Sequence, residues 1–473
     1  MKQILAAAGL WLCCAASSKA QVMSRVYARP DVPPRAVLER LNLEAAWHTF
    51  VPAGGMRDGI FSIQVLPDQI LVQMRSGMIT VLNPEDGTVQ WHGPVGEPYR
   101  VTLAPGYNKR SIFVYSGVRL YSLDRKTGAL QWQFDPPHAP GAPPVADDKL
   151  IYLALGTNSL YAFLLPEAPR REEPKPAEEP AKTAPGISPL TKLPLSAITA
   201  DRPVNWLGVA PPIEYYWDYP VLGRLEQAPL LADEYILVAD SNGTFFVNIK
   251  DDRGEKYRFQ ANAPLSATLA QYGAVAYVPS RDFSVFALDI PNGRILWRFT
   301  ADRNIVRKPA VTDEDLYVAS EGAGIFRVDR ETGRGIWRNT EAERFLALNK
   351  TCVYALDRWG RLLVLDRARG SLLSALDVRD FNVPVRNEVT DRVYLASNDG
   401  LIVCLHDRGH PKPLRVNSKA AEEKKPPAPA AEEKNAIPVA EPKAPAVPAE
   451  EKKAVPAPEP KKAGPAENKE KGL

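Results

Sequence analysis

The fold of this chain is decided by the stretch Leu120-Tyr-Ser-Leu-Asp-Arg-Lys-Thr-Gly-Ala-Leu-Gln-Trp132, because the chain repeats it. Two further copies are Val285-Phe-Ala-Leu-Asp-Ile-Pro-Asn-Gly-Arg-Ile-Leu-Trp297 and Ile325-Phe-Arg-Val-Asp-Arg-Glu-Thr-Gly-Arg-Gly-Ile-Trp337. Each joins two short apolar runs through a turn that starts at Asp and closes on Gly. The Asp side chain can accept a hydrogen bond from the turn backbone, and Gly adopts the positive φ of a tight hairpin. The unit is therefore predicted to be a β-hairpin.

Two more β-rich runs precede each hairpin. The nearer run is exemplified by residues 112–115, 274–278 and 316–319, and the earlier one often begins with Pro or Ala, as in residues 142–145. No helical periodicity occurs in the unit. The pattern predicts four short strands per repeat and an all-β fold.

The spacing of the repeats indicates the architecture. The position four residues after the turn Gly is occupied by Trp91, Trp132, Arg258, Trp297, Trp337 and Ser374. The intervals are 41 from the first to the second, then 39, 40 and 37 from the third to the sixth. A four-stranded unit of about 40 residues is the period of a β-propeller blade.

The longer interval between residues 132 and 258 is explained by Trp217. This residue precedes Pro229 by 12 positions, just as Trp132 precedes Pro144. We therefore expect Trp217 to end a blade. The Pro/Glu-rich residues 166–205 then form an insertion inside that blade, where the others have a tight turn.

The last unit lacks a fourth strand, and the N-terminus supplies a candidate for it. The segment Leu43-Glu-Ala-Ala-Trp47 lies 44 residues before Trp91 and has no strands of its own ahead of it. An N-terminal strand that completes the last blade closes the ring and removes the open sheet edges. The count is eight blades, at positions 47, 91, 132, 217, 258, 297, 337 and 374, with seven as the fallback if a degenerate unit is extra packing.

The two ends of the chain are predicted to lie outside the propeller, which we place at residues 36–410. Residues 1–20 have the pattern of a signal peptide, with Lys2 before an apolar run and Ser18-Lys19-Ala20 at the cleavage site. A lipidated start at Cys13 or Cys14 is the alternative. Residues 21–35 form an N-terminal extension, and the Pro/Ala/Lys/Glu-rich residues 411–473 are predicted to be a disordered tail.

Composition limits the partners. The formal net charge is +3 over 473 residues, which does not favour nucleic acid. After the leader no segment reaches the ~20 apolar residues of a transmembrane helix. Cys352 and Cys404 follow the leader, and we interpret them as buried thiols rather than a disulfide.

The repeated Trp residues allow two interpretations. They could form a stacking surface for a ligand, or each could pack against the neighbouring blade with its N–H bonded to a backbone carbonyl. Their regular recurrence favours packing, because a ligand site needs only one or two aromatic rings.

The Asp-x-x-Thr-Gly-x-x-x-Trp unit, as in Asp124 to Trp132 and Asp329 to Trp337, resembles the tryptophan-docking repeat of the pyrroloquinoline quinone (PQQ)-like β-propeller superfamily. In character the chain is most similar to the BamB-like non-enzymatic members. The superfamily also contains quinoprotein dehydrogenases, so the fold alone does not establish function.

The resemblance to quinoprotein dehydrogenases implies a vicinal cysteine pair beside the quinone, a metal held by carboxylate and Asn oxygens, and an Asp base. The only adjacent cysteines are Cys13 and Cys14, in the predicted leader. The five histidines have no metal-ligand spacing. The acidic runs Asp147-Asp148, Asp251-Asp252 and Asp313-Glu314-Asp315 fall in predicted turns, where such residues are usually solvated. We assign no catalytic residue, no cofactor-binding residue, no metal ligand and no cofactor.

The sequence therefore predicts an exported, non-catalytic propeller that acts as a protein-interaction or envelope scaffold, periplasmic or extracellular, with protein partners in the cell envelope. We expect a monomer. The alternatives are a PQQ-dependent quinoprotein dehydrogenase, and an extracytoplasmic sensor or cell-wall polymer binder.

Overall fold

The computed structural model describes residues 30–54, 57–166, 212–251, 254–261 and 263–417. The predicted signal peptide, most of the predicted insertion and the tail beyond residue 417 lie outside the described residues. Within them the chain forms one six-residue helix and eight four-stranded antiparallel sheets. No helix in these ranges is both long enough and apolar enough to cross a membrane.

The helix α1 (Arg35–Arg40) and the strand β1 (Leu43–Phe50) come first. Blades 1 to 4 then follow as β2 (Ile60–Val65), β3 (Ile70–Met74), β4 (Met78–Leu82), β5 (Val89–Pro94); β6 (Gly106–Tyr107), β7 (Ser111–Ser116), β8 (Arg119–Asp124), β9 (Leu130–Phe134); β10 (Val145–Ala146), β11 (Leu150–Leu155), β12 (Ser159–Leu164), β13 (Glu214–Pro220); and β14 (Leu230–Ala232), β15 (Tyr235–Ala239), β16 (Thr244–Ile249), β17 (Glu255–Gln260).

Blades 5 to 8 are β18 (Ala270–Tyr272), β19 (Val275–Pro279), β20 (Ser284–Asp289), β21 (Arg294–Thr300); β22 (Ala310–Val311), β23 (Asp315–Ser320), β24 (Gly324–Asp329), β25 (Gly335–Asn339); β26 (Ala342–Leu348), β27 (Cys352–Asp357), β28 (Arg361–Asp366), β29 (Leu372–Asp377); and β30 (Val383–Pro384), β31 (Val393–Ala396), β32 (Leu401–Asp407) with β1 as fourth strand. The predicted eight-bladed all-β propeller is confirmed.

The ring closes as the sequence predicted. β1 is antiparallel to β32, with Leu43 opposite Asp407 and Trp47 opposite Cys404. In blade 3, β12 pairs with β13, and Ala162 lies opposite Trp217. Trp217 therefore does belong to the fourth strand of that blade, and the chain between these two paired strands contains the predicted insertion.

Burial follows strand position. Every residue of the second strands β7 and β23 is buried, because neighbouring blades cover both faces of these strands. The fourth strand β29 alternates between exposed and half-buried residues, since it lies at the outer edge. The first strands of successive blades contact one another, as β6 does β10 and β18 does β22, so they line the axis of the ring.

The Trp residues pack between blades, as predicted. The indole N–H of Trp297 donates to the carbonyl of Arg330 in the next blade at 3.0 Å, and that of Trp337 donates to Arg367 O at 2.8 Å. Trp47, Trp91 and Trp217 make the same type of bond. The ring lies directly over the next turn Gly, because a Cβ built on Gly333 would meet Trp297 Cδ2 at 2.5 Å.

The prediction that Arg258 occupies this position in blade 4 is wrong. Tyr257 lies opposite Val247, its ring contacts Gly293 of the next blade, and its hydroxyl donates to Ile290 O at 2.6 Å. The turn of blade 4 is one residue shorter after its Gly, which shifts the docking residue to the third position. Tyr replaces Trp there, with its hydroxyl in the role of the indole N–H.

Candidate interaction face and central channel

The two ends of the ring differ in what they carry. Antiparallel strands reverse direction at each turn, so the linkers between blades and the turns between second and third strands reach the same end, here called the linker face. Backbone bonds join the two sets of loops: Gly117 N–H donates to Arg100 O at 2.7 Å, and Arg281 N–H to Pro264 O at 2.8 Å. The opposite end carries the Asp–Gly turns.

Large apolar side chains are exposed on the loops of the linker face. Leu222, between blades 3 and 4, is 86% exposed, and Trp359, in the turn between β27 and β28, is 59% exposed. Tyr99 follows blade 1 and Phe283 lies between β19 and β20, and both are also exposed. Exposed aromatic side chains on loops held by a rigid scaffold are typical of protein interaction sites.

Two of these aromatic residues have unusual backbone conformations. Tyr99 has φ of 60° and Phe283 has φ of 68°, in the left-handed region that bulky residues rarely adopt. Such a conformation costs of order 1–3 kcal/mol and persists where the surroundings enforce it, often at functional sites. In both loops the strained residue presents its aromatic ring to solvent.

Trp359 is flanked by positive charge. The guanidinium carbons of Arg361 and Arg358 lie 5.3 and 5.7 Å from the centre of its ring. Arg and Trp together are the residue types most enriched at the energetic centres of protein interfaces. Sequence reasoning missed this residue, although Trp359 lies 22 residues after Trp337 and so falls outside the 40-residue period.

The acidic runs do not come together as a site. Within the described parts of the chain no group of three or more His, Cys, Asp or Glu residues is placed to hold a metal ion. The side chains of Asp148 and Glu314 are 50% and 66% exposed, in line with the solvated turns predicted. Asp315 contradicts that prediction, since it is buried and accepts from Arg327 Nε at 2.8 Å and Arg367 Nη2 at 3.0 Å.

The two cysteines are free thiols, as the sequence analysis favoured. Cys404 is fully buried, and this burial raises the pKa of its thiol to about 12. Cys352 is only half-buried, and burial raises its pKa as well. Neither thiol is therefore activated as a nucleophile, because nucleophilic attack requires the thiolate.

The channel end of blades 6 to 8 contains a second feature, a cavity of about 280 Å³. Four cationic residues line it: Arg307, Lys308, Arg344 and Arg386. We call this group the basic pocket. The sequence analysis did not single out any of these residues, because they come from three different blades.

Comparison with known protein families matches residues 25–165 and 247–433 to the PQQ_2 family, described as outer membrane protein assembly factor BamB. The chain belongs to this family. No curated protein matches the sequence. The match covers more than half of the chain and includes the seven blades that carry no insertion, as well as the first three strands of blade 3.

Solved structures share the fold at low sequence identity. The crystal structure of BamB from Moraxella catarrhalis is 14% identical with a TM-score of 0.56, and the similarity covers 78% of this chain and 98% of that chain. The computationally designed protein Ika8 is 12% identical with a TM-score of 0.53, covering 76% of this chain and 99% of that one. At these identities the likeness establishes the fold alone.

Proposed function

We propose that this protein is an exported, monomeric, non-catalytic scaffold that binds a protein partner in the cell envelope through its linker face. One observation carries the proposal: exposed apolar side chains are concentrated on loops at that end, two of them on strained backbone. The family description names an outer membrane protein assembly factor, which favours a partner that acts in outer-membrane protein assembly. The leader-like pattern of residues 1–20 supports export.

Site-specific photocrosslinking in the producing cell tests this proposal. A benzophenone amino acid is placed at Trp359 or Phe283 on the linker face, and at Leu130 or Leu373 on outer strands as controls. The control side chains are each 58% exposed, so they match the test positions in accessibility. We expect an envelope protein to crosslink from positions 359 and 283 only. Equal crosslinking from the outer strands would contradict the assignment of the face.

The non-catalytic part of the proposal has its own test. The purified protein is incubated with PQQ and calcium and assayed for dye-linked alcohol oxidation. We expect no activity, since neither the vicinal cysteines nor a metal-binding cluster has been found in the described residues. Turnover above that of a heat-denatured sample would replace the scaffold with a dehydrogenase.

We predict that Trp359→Ala weakens partner binding by about 30-fold or more, the effect of a 2 kcal/mol hot spot. The melting temperature should stay within about 1 °C of the parent, because an exposed side chain contributes little to stability. Leu373→Ala, on an outer strand, serves as the control and should leave both quantities unchanged. Binding is measured by surface plasmon resonance against the crosslinked partner.

A further inference from the structure

The basic pocket combines several cations with few carboxylates. Arg307 and Lys308 belong to the linker before blade 6, Arg344 to β26, and Arg386 follows β30. Arg386 forms an ion pair with Glu388 and donates to the backbone carbonyls of Lys308 and Pro309. Its geometry is therefore fixed by the protein.

The other three cations are not paired in this way. Among the described residues, none accepts a hydrogen bond from, or forms an ion pair with, the side chains of Arg307, Lys308 or Arg344. The Nε of Arg307 is buried without any hydrogen-bond partner. A buried donor of this kind is costly unless it is satisfied, so the group calls for an acceptor.

The charges also act on one another. Burial and the charge of Arg344 lower the pKa of Arg307, against the opposing effect of Glu343. Burial and the charge of Arg386 lower the pKa of Lys308 to about 8, although this side chain remains accessible from the channel. The pocket is thus electropositive, and positive charge is kept there at a cost to the protein.

The remaining walls of the cavity are mostly apolar. Ile325 and Phe345 are buried core residues that form part of the lining, and Val306 lies at the edge. A cavity of about 280 Å³ is at the lower end of the size range of small-molecule sites. Its dimensions therefore suit a small ligand rather than a folded domain.

We propose that the basic pocket binds a small multivalent oxyanion, a phosphate compound or a polycarboxylate. Planar guanidinium groups match the geometry of both kinds of anion, and Lys308 adds a mobile point charge. An anion would satisfy Arg307 Nε and relieve the repulsion among the cations. This ligand site is separate from the protein interaction proposed above, because it needs none of the exposed aromatic residues of the linker loops.

Isothermal titration of the purified protein with pyrophosphate and with citrate, at constant ionic strength set by sodium chloride, tests the proposal. We expect one site per chain with a Kd below about 1 mM, and the stronger of the two probes identifies the phosphoryl or the carboxylate class. Arg344→Gln should weaken binding about tenfold or more, the effect of losing one charge-assisted hydrogen bond. Arg224→Gln, an exposed linker cation outside the pocket, should leave the Kd unchanged.

Stability without ligand separates a binding role from a structural one. Arg344→Gln should melt at the same temperature as the parent or higher, because it removes like-charge repulsion. If that variant melts lower, Lys308→Gln takes its place in the comparison, since its side chain is accessible. Absence of binding by either probe, or undiminished binding in both variants, would overturn the assignment.

The pH dependence gives a further readout. Lys308 is charged below its free-protein pKa of about 8, and a bound anion raises that pKa. Affinity should therefore be constant below pH 8 and fall by up to about tenfold per pH unit above it. Burial lowers the pKa of Arg386 too, but its bond to Glu388 keeps it charged, and Arg307 and Arg344 are guanidinium groups. Lys308→Arg should remove most of the fall; an equal fall in this variant would contradict the role of Lys308.

Discussion

Replacing Trp297 with Ala is expected to lower the free energy of unfolding by about 3–5 kcal/mol, the range for large core truncations. The indole lies over Gly333 of the next blade and contacts Tyr277, with ring centres 5.8 Å apart. Truncation removes this packing and leaves the carbonyl of Arg330 without its donor. Urea denaturation followed by circular dichroism measures the change.

The control for this prediction is a Trp outside the docking position. Trp359→Ala removes the same atoms from an exposed site and should change stability by less than about 0.5 kcal/mol. Gly333→Ala should also be destabilising, because its Cβ would meet the Trp297 ring at 2.5 Å and its φ is +72°. Equal losses for Trp297→Ala and Trp359→Ala would contradict the docking role of the repeated Trp.

The fold was predictable because the deciding residues act locally and recur. The Asp124 turn and Trp132 lie within one hairpin, so a single strand of sequence contains both. Repetition at about 40 residues then gave the number of blades. Where local spacing changed, prediction failed by one residue, as at Arg258, because the shorter turn of blade 4 moved docking to Tyr257.

The candidate sites could not be predicted in the same way. The basic pocket joins Arg307, Arg344 and Arg386, which are 79 residues apart from first to last and belong to three blades. Trp359 and Phe283 share a face only because turns of different blades emerge at the same end of the ring. Their exposure depends on the neighbouring linkers, which no local pattern describes.

Asp315 shows the same limit within one acidic run. Glu314 beside it is 66% exposed, whereas the Asp315 side chain is 2% exposed. The difference comes from Arg327 in the same blade and Arg367 in the next, whose guanidinium groups both reach its carboxylate. Burial of a carboxylate is tolerated when charged donors satisfy it.

We therefore expect Asp315→Ala to cost about 3–5 kcal/mol, the effect of removing one partner from a buried ion pair. The variant leaves the Arg327 and Arg367 cations in a buried site without their carboxylate. Asp135→Ala, which removes a half-exposed partner of Arg119, is the matched control and should cost less than about 1 kcal/mol. A loss at Asp315 no larger than at Asp135 would contradict the buried network.

The effect of Asp315 should extend to the docking of Trp337. Arg367 donates to Asp315 through its side chain, and its backbone carbonyl accepts the indole N–H of Trp337 at 2.8 Å and Arg327 Nη1 at 2.7 Å. Losing the carboxylate frees the residue that carries this acceptor. The losses of Asp315→Ala and Trp337→Ala should then be less than additive by at least about 0.5 kcal/mol, whereas Asp315→Ala and the distant Trp91→Ala should add. Strict additivity of the first pair would show that the ion pair and the Trp dock stabilise the blade interface independently.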